Sequence, residues 1–138
     1  MSDAPPFALS STLASAIVAH ARAEAPRECC GVLAGPDGTA EEAFPLTNRA
    51  PGTELYETDA AELMELEFRT LPSRNWEIVA IYHSHPHSVA FPSATDVALA
   101  AWPDACYLIC SLEDPEQPVI RGFSIVDGAI RERPIEVA

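Results

Sequence analysis

Two histidines two positions apart, followed at short range by a serine and an aspartate, are the residues best equipped for chemistry: His83-Ser84-His85-Pro86, then Ser93-Ala94-Thr95-Asp96. Side chains alternate along a strand, so at a strand end the two imidazoles share a face, roughly 6–7 Å apart along the backbone. Two converging imidazoles suit one zinc ion about 2.0–2.1 Å from each nitrogen. Asp96 falls in the first turn of a helix read from Ser93. The loop 86–92, stiffened by Pro86 and Pro92, is long enough to swing that turn over the strand end. His, His and Asp leave a fourth tetrahedral position for water, as catalytic rather than structural zinc sites do. Ser93, three residues before Asp96, shares its helix face, and its hydroxyl can donate to an oxyanion. A carboxylate is still needed to take a proton from the water and hand it to a leaving amine.

The elements that must position these residues follow from periodicity and punctuation. Residues 76–83 form a nearly continuous apolar run, as expected of a central strand covered on both faces. Ser93 to Ala101 reads as a short helix. Upstream, residues 11–24 read as a helix capped by Ser10 or Ser11, with Leu13, Ala16, Ile17 and Ala21 on one face and Pro26 ending it. Residues 29–35 read as a strand, Pro36-Asp37-Gly38 as a turn, and residues 40–47 as the returning hairpin partner. Residues 53–58 look strand-like. Asp59-Ala60-Ala61-Glu62 is a capping-box pattern opening a helix to about residue 70, with Leu63, Met64, Phe68 and Leu71 as its apolar face. Residues 105–112, 119–126 and 129–137 read as strands, the last two joined by Asp127-Gly128. The sum is an α+β (mixed α/β) fold with one sheet and about three helices. We expect a single domain over residues 1–138, with residues 1–8 as a flexible N-terminus.

Each chemical reading has a plainer competitor. Ser93-x-x-Asp96 is also a capping box with no catalytic meaning. Exposed loops contain His-x-His by chance. Ser84 has no nucleophile elbow around it, which argues against serine hydrolysis. Cys29 beside a histidine would suit a thiol nucleophile, but the packed-strand reading is preferred. His87 sits in the loop and takes no role. His20 reads as a surface or half-buried helix residue, and Trp76 and Trp102 as packing residues.

Composition narrows the partners. The 8 basic residues stand against 21 acidic ones, a net charge of -13, which argues against nucleic acid and anionic membranes. No apolar run reaches the about 18 residues of a membrane span. Neither a basic n-region nor an apolar h-region opens the sequence, so the cytoplasm is the expected location. Cys29, Cys30, Cys106 and Cys110 form no C-x-x-C and read as buried free thiols.

The spacing His83-Ser84-His85, seven residues, Ser93, two residues, Asp96 resembles the full signature of the JAMM (MPN-plus) metalloprotease family. That family also has a glutamate before a glycine-containing first strand. Pro26-Arg27-Glu28-Cys29-Cys30-Gly31-Val32-Leu33-Ala34-Gly35 looks like that element and nominates Glu28 as general base; the plainer reading of Glu28 is a surface carboxylate before a strand. The resemblance runs from the first helix to the Asp127-Gly128 hairpin and is closest to short bacterial single-domain members. It implies a curved mixed β-sheet with a helix on each side. It implies one Zn2+ per chain on His83, His85 and Asp96, with Glu28 and Ser93 catalytic. It also implies a partner: a ubiquitin-like sulfur-carrier protein whose Gly-Gly tail pairs with a sheet edge near the metal. The expected reaction cleaves the bond after the tail's last glycine, with cysteine as one possible leaving group, as in cysteine biosynthesis. A catalytically silent module that docks a ubiquitin-like protein is the alternative from another class. A deubiquitinase-like peptidase is a further one, though the chain looks too short for the insertions that grip ubiquitin.

Overall fold

The structure, a computed structural model, describes residues 5–138. Ser10 caps helix α1 (Ser11–Glu24) by accepting from the Leu13 amide at 3.1 Å. Leu13, Ile17 and Ala21 recur at helical spacing and form its buried stripe. The helix ends just before the cis Ala25–Pro26 peptide.

Strands β2 (Cys30–Gly35) and β3 (Glu42–Leu46) make the expected hairpin, and β4 (Glu77–His85) lies antiparallel on the other side of β2. Helix α4 (Ala94–Leu99) then carries the chain to β5 (Cys106–Ser111), which runs parallel to β4. Strand β6 (Val119–Val126) and β7 (Ala129–Arg133) complete a six-stranded sheet in the order β3-β2-β4-β5-β6-β7. Asp127 and Gly128 have φ of 51° and 79°, the two left-handed residues a two-residue hairpin turn requires.

Four sequence expectations are corrected. Residues 7 and 8 are not loose: β1 (Phe7–Leu9) pairs in parallel with β8 (Ile135–Val137), and Phe7 and Leu9 are buried. Three residues are too few for periodicity to reveal, and residues 1–4 lie outside the described chain. The strand expected over 129–137 breaks at Pro134, which has no N–H for the ladder; beyond it the chain leaves β7 for β1. Residues 53–58 form no strand, only an irregular segment tied by one bridge, Asn48–Thr58.

The fourth correction concerns the middle helix. Asp59 does cap α2 (Ala60–Glu65), accepting from the Glu62 amide at 2.9 Å. Glu62 does not close the box, because its carboxylate takes the amide and hydroxyl of Thr47, each at 2.7 Å. The helical run then passes through a π-helical stretch (Leu66–Thr70) into α3 (Leu71–Arg74). The wider turn pairs residues five apart, so Leu66 and Leu71 are buried. Met64 and Phe68, expected inside, stand 59% and 66% exposed.

The sheet separates two apolar layers. One packs α1, β1 and β8 against Tyr82, Leu108 and Cys110. The other packs Leu66, Leu71 and parts of α4 against Ile81, Tyr107, Ile109 and Phe123. All four cysteines are buried free thiols, as expected; Cys29 lies one residue before β2 and the others on strands. Among the described residues, no helix is long and apolar enough to cross a membrane.

Gly31 is required by close approach. It pairs with Tyr82, and a Cβ added there would stand 2.4 Å from the buried Tyr82 ring, whose hydroxyl meets His20 Nδ1 at 2.8 Å. Gly31→Ala is therefore expected to destabilise the protein by about 1–3 kcal/mol through overpacking, read as a lowered urea midpoint at unchanged slope.

Candidate metal centre

Register arithmetic places the expected residues together. Strand β2 meets β4 with Cys30 opposite His83, and the pairing runs on: the Cys29 amide donates to Ser84 Oγ at 2.8 Å, and the Ser84 amide to the Cys29 carbonyl at 3.2 Å. One further step sets Glu28 opposite His85. Equal parity then turns the Glu28, His83 and His85 side chains to the same sheet face. Glu28 is buried, so the surface-carboxylate reading does not hold.

The parallel crossover brings Asp96 to the same point. Ser93 caps α4 in a full capping box: its Oγ accepts from the Asp96 amide at 3.0 Å, and its amide donates to Asp96 Oδ2 at 2.9 Å. That same Oδ2 lies 3.1 Å from His83 Nε2 and 3.2 Å from His85 Nε2, while the two Nε2 atoms are 3.1 Å apart. The capping and chemical readings of Ser93-x-x-Asp96 are therefore compatible, since the cap aims the carboxylate. Ser93 also lines a polar cleft of about 360 Å³ with Glu28, Glu54, His85, His87 and Ser88.

The donor set fits a small tetrahedral ion. Bonds of about 2.0–2.1 Å at tetrahedral angles put ligand atoms about 3.3 Å apart, close to the spacing of this triad. Glu28 also lies within 4.8 Å of both imidazoles, so Glu28, His83 and His85 form a second set that could hold an ion.

Charge separates the four groups. Burial holds the His83 imidazole below its usual range, against the pull of Asp96, so its nitrogen keeps a lone pair. Burial also opposes a charged His85, but Asp96 and the Val89 carbonyl outweigh it and raise that ring. Asp96 resists its own burial through hydrogen bonds to both imidazoles and the Ser93 amide, which hold it well below the usual carboxylate range. Burial pushes Glu28 up from 4.5 to about 7; His85 opposes the rise, while Asp96 and Glu54 add to it. Its Oε1 has no hydrogen-bond partner among the described residues. A carboxylate balanced near neutrality beside a cation site can take and return a proton. Burial pushes the Cys29 and Cys30 thiols up to about 12, which leaves them packing residues rather than nucleophiles.

Three contributors were not visible as candidates in the sequence. Asn48 is buried; its Nδ2 donates to the Glu28 carbonyl at 2.9 Å and to the Leu55 carbonyl at 3.1 Å, and its Oδ1 accepts from the Ala50 and Glu57 amides. Arg27 reaches the carbonyls of Asn48, Ala50 and Gly52. Tyr56 stacks on His83. All three act through an irregular segment, where no periodicity marks a residue.

Comparison with known proteins identifies the family. Residues 10–125 match the family model described as prokaryotic homologs of the JAB domain. The CysO-cysteine peptidase of Mycobacterium tuberculosis (strain ATCC 25618 / H37Rv) is 43% identical over 127 residues, covering 91% of this chain and 86% of that protein. The desampylase of Haloferax volcanii is 40% identical over 112 residues, covering 76% and 80%. A JAB1/MPN domain protein from Archaeoglobus fulgidus shares the fold at 17% identity, with a TM-score of 0.63 over 96% of this chain and 98% of that one.

The raised Glu28 group gives a signed prediction for metal-free protein. A folded-state value above the unfolded one favours folding below pH 4.5, and this contribution is lost as pH rises through about 7. Glu28→Gln cannot ionise. After chelator treatment its Tm should exceed that of the wild type by a margin that widens from about pH 5 to about pH 8; a constant margin would contradict the burial argument.

Proposed function

We propose a substrate and a mechanism from one premise: this chain belongs to the family of prokaryotic homologs of the JAB domain and is a peptidase. The substrate is the amide after the C-terminal glycine of a ubiquitin-like sulfur-carrier protein, with cysteine as the leaving group that the similarity to a CysO-cysteine peptidase favours. The observation that carries the reading is the triad of His83, His85 and Asp96 at 3.1–3.2 Å, with buried Glu28 beside it.

His83, His85 and Asp96 would hold one Zn2+. When bound, zinc polarises an amide carbonyl and lowers the pKa of water to about 7. Glu28 takes the proton from the attacking water on its carboxylate and hands it to the leaving nitrogen. Ser93 keeps its hydroxyl hydrogen free, because its Oγ accepts in the cap, and directs that hydrogen at the oxyanion. Asn48 fixes the backbone that carries the base.

This proton route orients the substrate. The leaving amine must lie on the Glu28 side, where the cleft is polar and lined by Thr53, Glu54, His87 and Ser88. The acyl tail then lies toward Asp96, beside an apolar cavity of about 190 Å³ lined by Tyr56, Leu63, Leu99 and Trp102. The sheet edges β3 and β7 are separated from β4 by other strands. In our reading a Gly-Gly tail at the metal runs between segment 49–59 and α4. We place the reaction in the cytoplasm, where four buried free thiols stay reduced.

A calorimetric zinc titration of chelator-treated protein should show one tight site, weakened in Asp96→Ala; binding indifferent to Asp96 would remove the centre. Glu28→Ala should keep zinc and lose about 10²- to 10⁴-fold in hydrolysis of a carrier–cysteine adduct. Zinc-loaded wild type that cuts no carrier adduct would turn the reading to a docking module.

A further inference from the structure

The two imidazoles of the centre are held in different ways. A metal-binding histidine ordinarily gives its second ring N–H to a carbonyl or carboxylate, which fixes the ring plane. His85 follows this pattern, with Nδ1 at 2.8 Å from the Val89 carbonyl. His83 does not: its Nδ1 is buried and has no hydrogen-bond partner among the described residues. The torsion that turns an imidazole about Cβ–Cγ is broad, so it does not orient the ring by itself.

Two rings pack on His83: His85 edge-on, with centroids 4.9 Å and planes 63° apart, and Tyr56 face-on. The Tyr56 ring lies almost flat on His83, with centroids 4.4 Å apart and planes 25° apart. Turning the imidazole out of its plane would drive an edge into the phenol ring. Tyr56 is itself anchored although its segment is irregular. Asn48 ties Leu55 and Glu57, the residues on either side, to the backbone of Glu28, and the Arg49 amide donates to the Glu57 carbonyl at 2.7 Å.

We infer that Tyr56 is the positioning residue for His83, its stacked ring doing for that imidazole what the Val89 carbonyl does for His85. The inference rests on the metal reading above and adds to it a residue that touches neither metal nor substrate bond. The ring carries the effect, so Phe replaces Tyr56 and Leu does not.

The test compares the full-length wild type with Tyr56→Leu, Tyr56→Phe and Asp96→Ala. Zinc affinity is measured on chelator-treated protein by competition with a chromogenic chelator, and the visible absorption of the cobalt(II) form is recorded. Tyr56→Leu is expected to bind zinc about 10- to 100-fold more weakly, the usual effect of losing an outer-shell support, and to show an altered cobalt band. Tyr56→Phe should match the wild type in both. A folded Tyr56→Leu with wild-type affinity and an unchanged cobalt band overturns the inference, since a merely structural residue leaves both unmoved. If Asp96→Ala also binds as the wild type does, the metal reading fails and takes the inference with it. Should Tyr56→Leu not fold, the zinc-free wild type decides: nuclear Overhauser contacts between the Tyr56 and His83 ring protons support the inference, and their absence overturns it.

Discussion

One carboxylate oxygen, Asp96 Oδ2, joins the cap of α4 to both imidazoles at the end of β4. Without the cap, that carboxylate would be a flexible surface group. Without the imidazoles, α4 would be six residues of helix held to the core chiefly by the half-buried Val97. Isolated helices of that length are marginal in water, so α4 owes its place to Val97 and to what its first turn touches. The parallel pairing of β4 and β5 supplies the crossover that sets α4 across the strand end, and strand ends at such crossovers are where α/β sheets bind ligands.

The rest of the sheet holds the cluster in place. Two acids and two imidazoles share a mostly buried pocket. Ile81, Tyr82, Leu108 and Ile109 are buried along β4 and β5 beneath it. Ser84, on the opposite face from the histidines, spends its hydroxyl on the Cys29 amide and extends the β2–β4 ladder as far as the base. Structural and chemical residues thus alternate along one strand.

The irregular segment 49–59 does what a strand cannot. It leaves β3, folds over the metal side of the sheet, and presents Tyr56 to His83 and to the apolar cavity. Asn48 makes this possible by satisfying backbone groups on both sides of the segment, a role its amide fills with two donated and two accepted hydrogen bonds. The centre therefore has a polar side, toward Glu28 and His87, and an apolar side, toward Leu63 and Leu99.

The fold class was legible in the sequence, as were β4, α1 and the Asp127-Gly128 turn, and the structure brings together the nominees Glu28, His83, His85, Ser93 and Asp96. Most rest on a local pattern: a continuous apolar run, helical spacing with a cap, turn chemistry, or a short fixed spacing; Glu28 was nominated by the family resemblance. Long-range contacts decided the rest. The break at Pro134 has a local cause, its missing N–H, but the pairing of β8 beyond it depends on β1, far away in the chain. Phe68 faces outward because a π-helical stretch changes the period that the sequence pattern assumed, and Met64, one turn earlier, already points outward in α2. Glu28 is buried because the β2–β4 register carries it onto the sheet face beside His85, and that burial raises it toward neutrality against the pull of His85. Asn48 and Tyr56 had no signal at all, since an irregular segment has no period for a residue to fit or violate. Local spacing determined which residue types were present for the chemistry. Register and crossover determined which atoms meet, because distance and burial are properties of paired chains and not of neighbours in sequence.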